Sequence, residues 1–291
     1  MSMDPRRELA DPDSRFVDLL GTEVHNRCVG DGGPPVVLFH HFFGNVANWR
    51  HVIDLLSERA RVVAFDRPAF GLTERPDDPD RYTRRYAAEL TRALLDHLGW
   101  DQAVLVGASA GGTTALETYA RYPDRVAGIG LVSPAITGDV GPPAFVRPFL
   151  RLPALRPIGQ AIVRRAAGSL TVERIARAWA DPSNAGPEDL AAYTRTTKVP
   201  GWERALWQLA NAEGTPNLRH VLRDVEVPTV VVSGDQDRVI SAHWNRRTAA
   251  AIPTATFELV EGCGHTPHEE CPDALVAILG DLLDRVRAHP V

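Results

Sequence analysis

The sequence predicts an α/β protein with a mostly parallel, doubly wound sheet and an inserted helical cap. Short Val-rich apolar runs alternate with longer amphipathic stretches. Runs without a polar face are typical of parallel strands that helices cover on both sides, and their alternation with helices predicts a doubly wound sheet. The alternation breaks once, between residues 137 and 219, where the pattern is helical and contains no strand-like run. This break predicts the cap.

The predicted elements begin with an antiparallel hairpin. Its strands are expected at residues 16–20 and 23–29, around a turn at Gly21 and Thr22. The later apolar runs, each predicted to be a buried strand, are residues 36–40, 61–66, 103–108, 128–133, 229–234 and 255–260. The amphipathic stretches, each predicted to be a helix, are residues 46–60, 82–98, 112–122, 242–251 and 272–288.

The helical stretch divides the chain into two predicted parts. We assign residues 1–136 and 220–291 to the core that contains the sheet, and residues 137–219 to the helical cap. Insertions over the carboxyl edge of a parallel sheet are where substrate pockets form. The aromatic residues of the cap are therefore candidates for substrate contact, or alternatively pack the cap onto the core. They are Trp179, Trp202 and Trp207.

Composition and charge narrow the class of protein. The net charge of −5 predicts no basic surface for nucleic acid or an anionic membrane. We see neither a run of eighteen apolar residues nor an apolar leader, so neither a membrane span nor a secretory signal is expected. Three irregularly spaced cysteines fit a reducing compartment better than a disulfide framework. We therefore expect a cytoplasmic protein with a small-molecule substrate, and a homodimer is left open.

The strongest local motif is the Gly-Ala-Ser-Ala-Gly segment at residues 107–111, directly after a predicted strand and before a predicted helix. A nucleophilic serine on a sharp strand-to-helix turn needs very small residues two positions before and after it, and both are glycine here. The start of the helix also offers amide donors for an oxyanion. Ser109 is therefore a candidate nucleophile; the alternative is a glycine-rich turn around a buried serine without a chemical role.

With this motif the chain resembles the α/β-hydrolase family, in which a nucleophile, an acid and a histidine follow in that order. The Gly-Asp-Gln-Asp segment at residues 234–237 is similar to the family's acid loop, which implies Asp237 rather than Asp235 as the acid. The Gly-His-Thr-Pro-His-Glu-Glu segment at residues 264–270 resembles the histidine loop and implies His265 as the base. The resemblance thus implies a Ser109–His265–Asp237 triad that needs no cofactor; taken singly, each loop could be an ordinary turn.

The loop after the first parallel strand departs from the family's His-Gly-aromatic pattern. It reads His-His-Phe-Phe-Gly at residues 40–44, and its spacing aligns His40 with the family's histidine. The resemblance then implies that the backbone amides of Phe42 and Ala110 bind the oxyanion. A slip of one residue would give the first role to Phe43.

His41 stands where the family usually has glycine. Its imidazole could narrow the pocket, add a hydrogen-bond donor or point outward, and these alternatives stay open. We count His41 and Phe43 among the substrate-binding candidates. A second family-like loop, residues 66–73, follows the next strand; we interpret Asp66 there as structural, bonding loop amides, and note that Ala69 replaces a frequent glycine.

A metal site is the alternative interpretation of the histidine loop, where His265, His268, Glu269 and Glu270 lie close in sequence. Pro267 interrupts any helix that would align them, and no second cluster supplies further ligands. We therefore predict no metal site and no cofactor.

The function that the resemblance implies is hydrolysis of a carboxylic ester or related acyl bond, of the EC 3.1.1 class, through an acyl-enzyme. Ser109 argues against dehalogenase and epoxide-hydrolase chemistry, which would need an Asp nucleophile. Thr266 follows the histidine where hydrolases of carbon–carbon bonds usually carry Trp. The aromatic residues favour a small, largely apolar substrate. Two alternatives use the same triad: a cofactor-free lyase or haloperoxidase-like enzyme, and a ligand receptor with slow turnover.

Overall fold

The computed structural model describes residues 4–136, 153–212 and 217–288 and contains an eight-stranded sheet. The strands are β1 (Arg15–Leu19), β2 (Thr22–Val29), β3 (Pro35–Phe39), β4 (Arg61–Phe65), β5 (Ala103–Ala108), β6 (Val126–Val132), β7 (Thr229–Gly234) and β8 (Ala255–Val260). Their order across the sheet is β1-β2-β4-β3-β5-β6-β7-β8. β2 pairs antiparallel with β1 and with β4, and the other neighbours are parallel. The predicted hairpin and mostly parallel sheet are confirmed.

Helices cover both faces of this sheet. The α-helices are α1 (Pro5–Glu8), α2 (Arg50–Ser57), α3 (Arg84–Leu98), α4 (Ala110–Arg121), α5 (Arg156–Ala178), α6 (Pro187–Arg195), α7 (Trp202–Ala212), α8 (Arg219–Leu222), α9 (Ala242–Ala250), α10 (Pro267–Glu270) and α11 (Pro272–Ala288). The apolar residues of α3, α4 and α9 pack on one face of the sheet, and those of α2 and α11 pack on the other. The sheet is therefore doubly wound, as predicted.

The central strands are buried on both sides. Val36 and Val37 of β3 point to opposite faces, yet both are 0% exposed, because one packs with α2 and the other with α3. Every residue of β5 and of β7 is buried as well. Each buried valine stabilises the fold by about 1.5–3 kcal/mol relative to an exposed one. The apolar runs of these central strands have no polar face because neither face of the sheet meets water there. The prediction of a buried strand at residues 255–260 was wrong in its burial, because β8 lies at the edge of the sheet and Thr256, Glu258 and Leu259 are exposed.

The predicted helix at residues 46–60 is shorter and less regular than expected. A 3₁₀ helix, Val46–Trp49, comes first, and α2 then covers Arg50–Ser57. The Asn45 side chain accepts from the amide of Ala47 at 3.0 Å, and the Asn48 side chain accepts from the Asn45 amide at 2.8 Å. These reciprocal bonds fix the tight first turn, which hydrophobic periodicity does not report.

Helices α5, α6 and α7 lie between β6 and β7, where the sequence predicts the cap. Residues 153–212 contain no strand, and Ala205 and Leu206 of α7 pack on Phe43, Phe70 and Tyr82 of the core. Parts of the predicted cap, residues 137–152 and 213–216, lie outside the described residues, and its boundaries stay a prediction. Among the helices that the structure describes, none has the length and apolarity to cross a membrane.

Asp66 organises the loop after β4. Its carboxylate is fully buried and accepts from the amides of Val46 and Leu72, at 2.7 Å each, and contacts His25 Nδ1 at 2.7 Å. The structural interpretation of Asp66 agrees with these bonds. Ala69 has a φ of 80°, a left-handed conformation that glycine adopts with less strain.

We expect Asp66→Asn to lower the free energy of unfolding at pH 7 by about 2–4 kcal/mol, because an amide cannot accept all three bonds. Although burial opposes it, the contacts with His25 and the loop amides lower the pKa of Asp66 from 3.8 to about 2. A lowered folded-state pKa stabilises the fold above about pH 4, and that contribution disappears as the pH falls toward 2. In urea unfolding, the difference in the free energy of unfolding between wild type and variant should therefore be smaller at about pH 3 than at pH 7.

The matched control is Asp31→Asn, at an exposed aspartate. It should change the free energy of unfolding by less than about 0.5 kcal/mol at either pH. Equal effects of the two substitutions would contradict the assignment of Asp66 as the anchor of this loop.

Candidate active site

Ser109 lies on the tight turn between β5 and α4. Its φ is 49° and its ψ is −113°, a conformation that side-chain-bearing residues rarely adopt. The Ser109 amide donates to the carbonyl of Val132 at 2.8 Å, and its carbonyl accepts from the amide of Ala135 at 3.1 Å. These bonds tie the strained turn to the end of β6. The strained turn thus places Ser109, which is partly exposed, at the carboxyl edge of the sheet.

Glycine is required at both flanking positions because backbone atoms lie where a Cβ would be. A Cβ at Gly107 would lie 2.3 Å from the carbonyl carbon of Gly111, and a Cβ at Gly111 would lie 2.2 Å from the carbonyl oxygen of Phe39. Backbone atoms cannot move aside as a flexible side chain can. The small residues that the sequence motif demands are therefore explained by backbone contacts.

We expect Gly111→Ala to destabilise the protein by at least about 2 kcal/mol and to displace Ser109, because the new methyl group overlaps the Phe39 carbonyl. Urea unfolding and the rate of serine labelling measure the two effects. Gly32→Ala is the matched control, since nothing lies within 4 Å of a Cβ at Gly32. Unfolding curves that coincide for the two variants would contradict the close approach of the Phe39 carbonyl to Gly111.

Asp237 and His265 are in direct contact. Asp237 Oδ2 lies 2.8 Å from His265 Nδ1, and both residues are 7% exposed. The other carboxylate oxygen, Oδ1, accepts from the amides of Val239 and Ile240 at 2.8 Å each. Two backbone donors therefore fix the orientation of the carboxylate. Asp235, the other acid of the loop, is exposed and accepts from the backbone instead.

The histidine loop is held by Glu270 and by the end of α5. The Glu270 carboxylate accepts from the amides of Gly264, Thr266 and Ala180 at 2.7–3.0 Å. The His265 amide donates to the carbonyl of Ala178 at 2.5 Å. Because residues 178 and 180 belong to the inserted segment, the position of His265 depends on both the core and the insertion.

The turn after β3, residues 40–44, is held by a half-buried arginine. Arg67 donates to the His40 carbonyl at 2.6 Å and to the Thr114 hydroxyl of α4 at 2.9 Å. His40 Nδ1 donates to the His41 carbonyl at 2.8 Å, and its Nε2 accepts from the Arg67 amide at 3.2 Å. Burial, reinforced by the charge of Arg67, lowers the pKa of His40 well below its usual range. His40 thus stabilises the turn, and Arg67 connects the turn to α4.

The two substrate-binding candidates on this turn are both buried. His41 is 6% exposed and points inward, with its ring centre 5.5 Å from those of Tyr193 and His268. Phe43 is 8% exposed and packs with Phe70. In contrast, Phe42 is 49% exposed. Of the alternatives for His41, an outward orientation does not fit the structure.

The tryptophan candidates also pack within the protein. Trp179 is 4% exposed and packs with Tyr193. Trp202 and Trp207 are half-buried on α7, and a Cβ at Gly159 of α5 would overlap the Trp207 ring. These contacts fit the alternative that the rings pack the insertion, and substrate contact by them stays a prediction.

A buried polar network beside the turn at residues 40–44 was not predicted. Asn48 Nδ2 donates to Glu269 Oε1 at 2.5 Å, and the Tyr193 hydroxyl donates to Glu269 Oε2 at 2.6 Å. The interacting residues are 221 and 76 positions apart in the chain, so no local pattern could reveal the contacts. His41 lies beside Glu269 of this network, and its unusual position in the sequence was the one indication of a polar contact here.

The residues weighed as metal ligands from the sequence separate in the structure. His265 is bonded to Asp237, and Glu270 is bonded to loop amides. His268 and Glu269 instead meet His41, with one ligand atom from each residue within 4.8 Å of the others. This group, and not the sequential cluster, is the candidate to hold a metal ion.

Comparison with known proteins agrees with this architecture. A family model described as alpha/beta hydrolase fold matches residues 34–272. Over 247 residues the chain is 30% identical to the dihydrolipoyllysine-residue acetyltransferase component of the acetoin cleaving system of Pseudomonas putida. This match covers 84% of the chain but only 62% of that protein's length.

Solved structures show the same fold. An esterase from Thermogutta terrifontis superposes with a TM-score of 0.78 at 23% identity, covering 94% of this chain and 98% of that one. The enol-lactonase from Burkholderia xenovorans LB400 superposes with a TM-score of 0.77 at 25% identity, covering 93% of this chain and 100% of that one.

Proposed function

The chain belongs to the α/β-hydrolase fold family, and from this premise we propose that it is a serine hydrolase of carboxylic esters or related acyl bonds, of the EC 3.1.1 class. The observation that carries the proposal is the 2.8 Å contact between Asp237 and His265, at the sheet edge where strained Ser109 also lies. Ser109, rather than an aspartate, at the nucleophile position favours acyl transfer over epoxide or haloalkane opening.

The proposed reaction uses each group once in each half-cycle. Ser109 Oγ attacks the acyl carbon while His265 Nε2 takes its proton, and Asp237 stabilises the imidazolium. The negative oxygen accepts from the amides of Phe42 and Ala110; the latter lies in the first turn of α4, where amides have no partner within the helix. His265 returns the proton to the leaving alcohol, the acyl-enzyme forms, and water repeats the sequence to release the acid.

The exposed ring of Phe42 supports an apolar acyl group. It lies 4.9 Å from Phe43 and 5.6 Å from Phe70, ring centre to ring centre, so three aromatic rings adjoin the proposed oxyanion turn. We extend the proposal to a small-molecule substrate and a cytoplasmic setting, the latter because Cys28, Cys263 and Cys271 are all unpaired.

The test combines covalent labelling with a substrate panel. A serine-directed fluorophosphonate should label the peptide that carries Ser109, and esters, lactones and thioesters of graded acyl length should reveal the preferred bond. Hydrolysis in ¹⁸O-labelled water should place one heavy oxygen in the released acid. Absence of label from a folded protein would overturn the proposal. Turnover without heavy oxygen would favour lyase chemistry, and labelling without turnover would favour a slow receptor.

A further inference from the structure

The turn at residues 40–44 and helix α10 bring together three buried side chains of types that bind metals, and the proposed reaction uses none of them. His41 comes from the turn after β3, and His268 and Glu269 come from the short helix α10. Their relative exposures are 6%, 0% and 5%. His41 Nε2 lies 3.9 Å from Glu269 Oε2. Two imidazoles and one carboxylate are a donor set typical of Zn²⁺ in proteins.

His268 is the first observation that points to a ligand. Its ring lies between those of Trp49 and His41, at 4.6 and 5.5 Å, and neither ring nitrogen has a hydrogen-bond partner among the residues that the structure describes. Burying a polar atom without a partner costs about 1–3 kcal/mol. A neutral imidazole at this position has one ring nitrogen with a lone pair that a metal ion can accept.

The hydrogen bond of His41 is the second observation. Its Nδ1 lies 2.9 Å from the Phe42 carbonyl oxygen, and a carbonyl can only accept, so Nδ1 carries the hydrogen. Nε2 is therefore the ring nitrogen that faces Glu269, at 3.9 Å from Oε2, and it is the atom that would bind a metal ion. Metal-binding histidines typically donate their other ring nitrogen to a carbonyl in this way.

Glu269 supplies the negative charge. Its two oxygens accept from Asn48 and Tyr193, which orient the carboxylate. Arg50, whose charge acts on Glu269, forms an ion pair with Asp189. Glu269 is 5% exposed, and a buried carboxylate costs free energy unless its charge is compensated. A bound cation would add to that compensation.

We propose that His41, His268 and Glu269 bind a single divalent cation of the Zn²⁺ class, with water completing the coordination. Zinc–ligand distances of about 2.0–2.2 Å place ligand atoms roughly 3.3–3.5 Å apart in a tetrahedron. Because the ligand atoms now lie within 4.8 Å of one another, they would approach one another by at most about 1.5 Å on binding. The cation would link the turn at residues 40–44 to helix α10 and would stabilise their packing. This inference does not depend on the proposed hydrolase activity.

The test uses the full-length protein, stripped with a chelator, exposed to Zn²⁺ and desalted. Metal content by mass spectrometry should be one zinc ion per chain, and Zn²⁺ should raise the thermal midpoint because it binds the folded state. Co²⁺ loading should give the visible absorption of a low-symmetry nitrogen–oxygen site. If the wild type retains no stoichiometric metal and its midpoint does not respond, the proposal is overturned.

Three variants and a control locate the ion. His41→Ala and Glu269→Gln should each lose the stoichiometric zinc and the Co²⁺ spectrum. Tyr193→Phe, which removes the hydrogen bond from the Tyr193 hydroxyl to the ligand Glu269, should weaken zinc binding about 10–100-fold while the protein stays folded. His243→Ala removes an exposed histidine and should leave the zinc content unchanged. Full zinc content in folded Glu269→Gln and unaltered affinity in Tyr193→Phe would place the metal elsewhere and overturn the assignment.

Discussion

Ser109→Ala should abolish turnover of the best ester from the panel, with a loss in kcat on the order of a millionfold. The hydroxyl does not cap α4 and therefore has no structural bond at the helix start that alanine would remove. Residual hydrolysis should come only from the oxyanion donors and substrate binding, which accelerate comparable reactions by about 10³–10⁴ over water. Steady-state kinetics on purified protein measure the loss.

The control for this variant is its stability. The free energy of unfolding should stay within about 0.5 kcal/mol of the wild type, because the substitution removes one partly exposed oxygen. The fluorophosphonate should no longer react, which also excludes a contaminating esterase. Undiminished ester hydrolysis by the folded, unlabelled variant would remove Ser109 from the proposed mechanism.

The fold and the proposed catalytic residues could be predicted because their signals are local in the sequence. Buried parallel strands have no polar face, and the turn at Ser109 needs glycine at positions 107 and 111, where backbone atoms approach within 2.4 Å of an added Cβ. The order of the three loops then follows from the family pattern. Each of these features involves residues that are close together in the chain or repeat with a fixed period.

The polar network around Glu269 could not be predicted for the opposite reason. Tyr193 reaches Glu269 from helix α6 of the insertion, and Asn48 reaches it from the 3₁₀ helix after β3. Neither residue lies in a motif, and the contacts exist only after three distant segments have packed together. His41 was recognised as unusual, but a glycine replaced by histidine does not reveal whether the ring turns outward or inward.

The acid loop allows a sharper test of the triad, through the contrast between Asp237→Asn and Asp235→Asn. In the first variant the amides of Val239 and Ile240 still require an acceptor, so the asparagine oxygen should occupy the position of Oδ1. The NH₂ group must then face His265 Nδ1, where it can only donate. The imidazole is thereby forced to carry its hydrogen on Nε2, the atom that has to receive the serine proton. We expect kcat to fall about 10⁴-fold.

In Asp235→Asn the side-chain bond at risk among the described residues is the one accepted from the Cys263 amide at 3.2 Å, and the asparagine oxygen can accept it equally well. We expect kcat within about threefold of the wild type, a difference of less than about 1 kcal/mol in the barrier. Both variants keep the size of the side chain, so matched urea unfolding curves would show that the contrast arises from proton placement and not from a damaged loop. Equal losses in the two variants would mean that Asp237 does not set the tautomer of His265, and the acid would then have to be sought at another position of the loop.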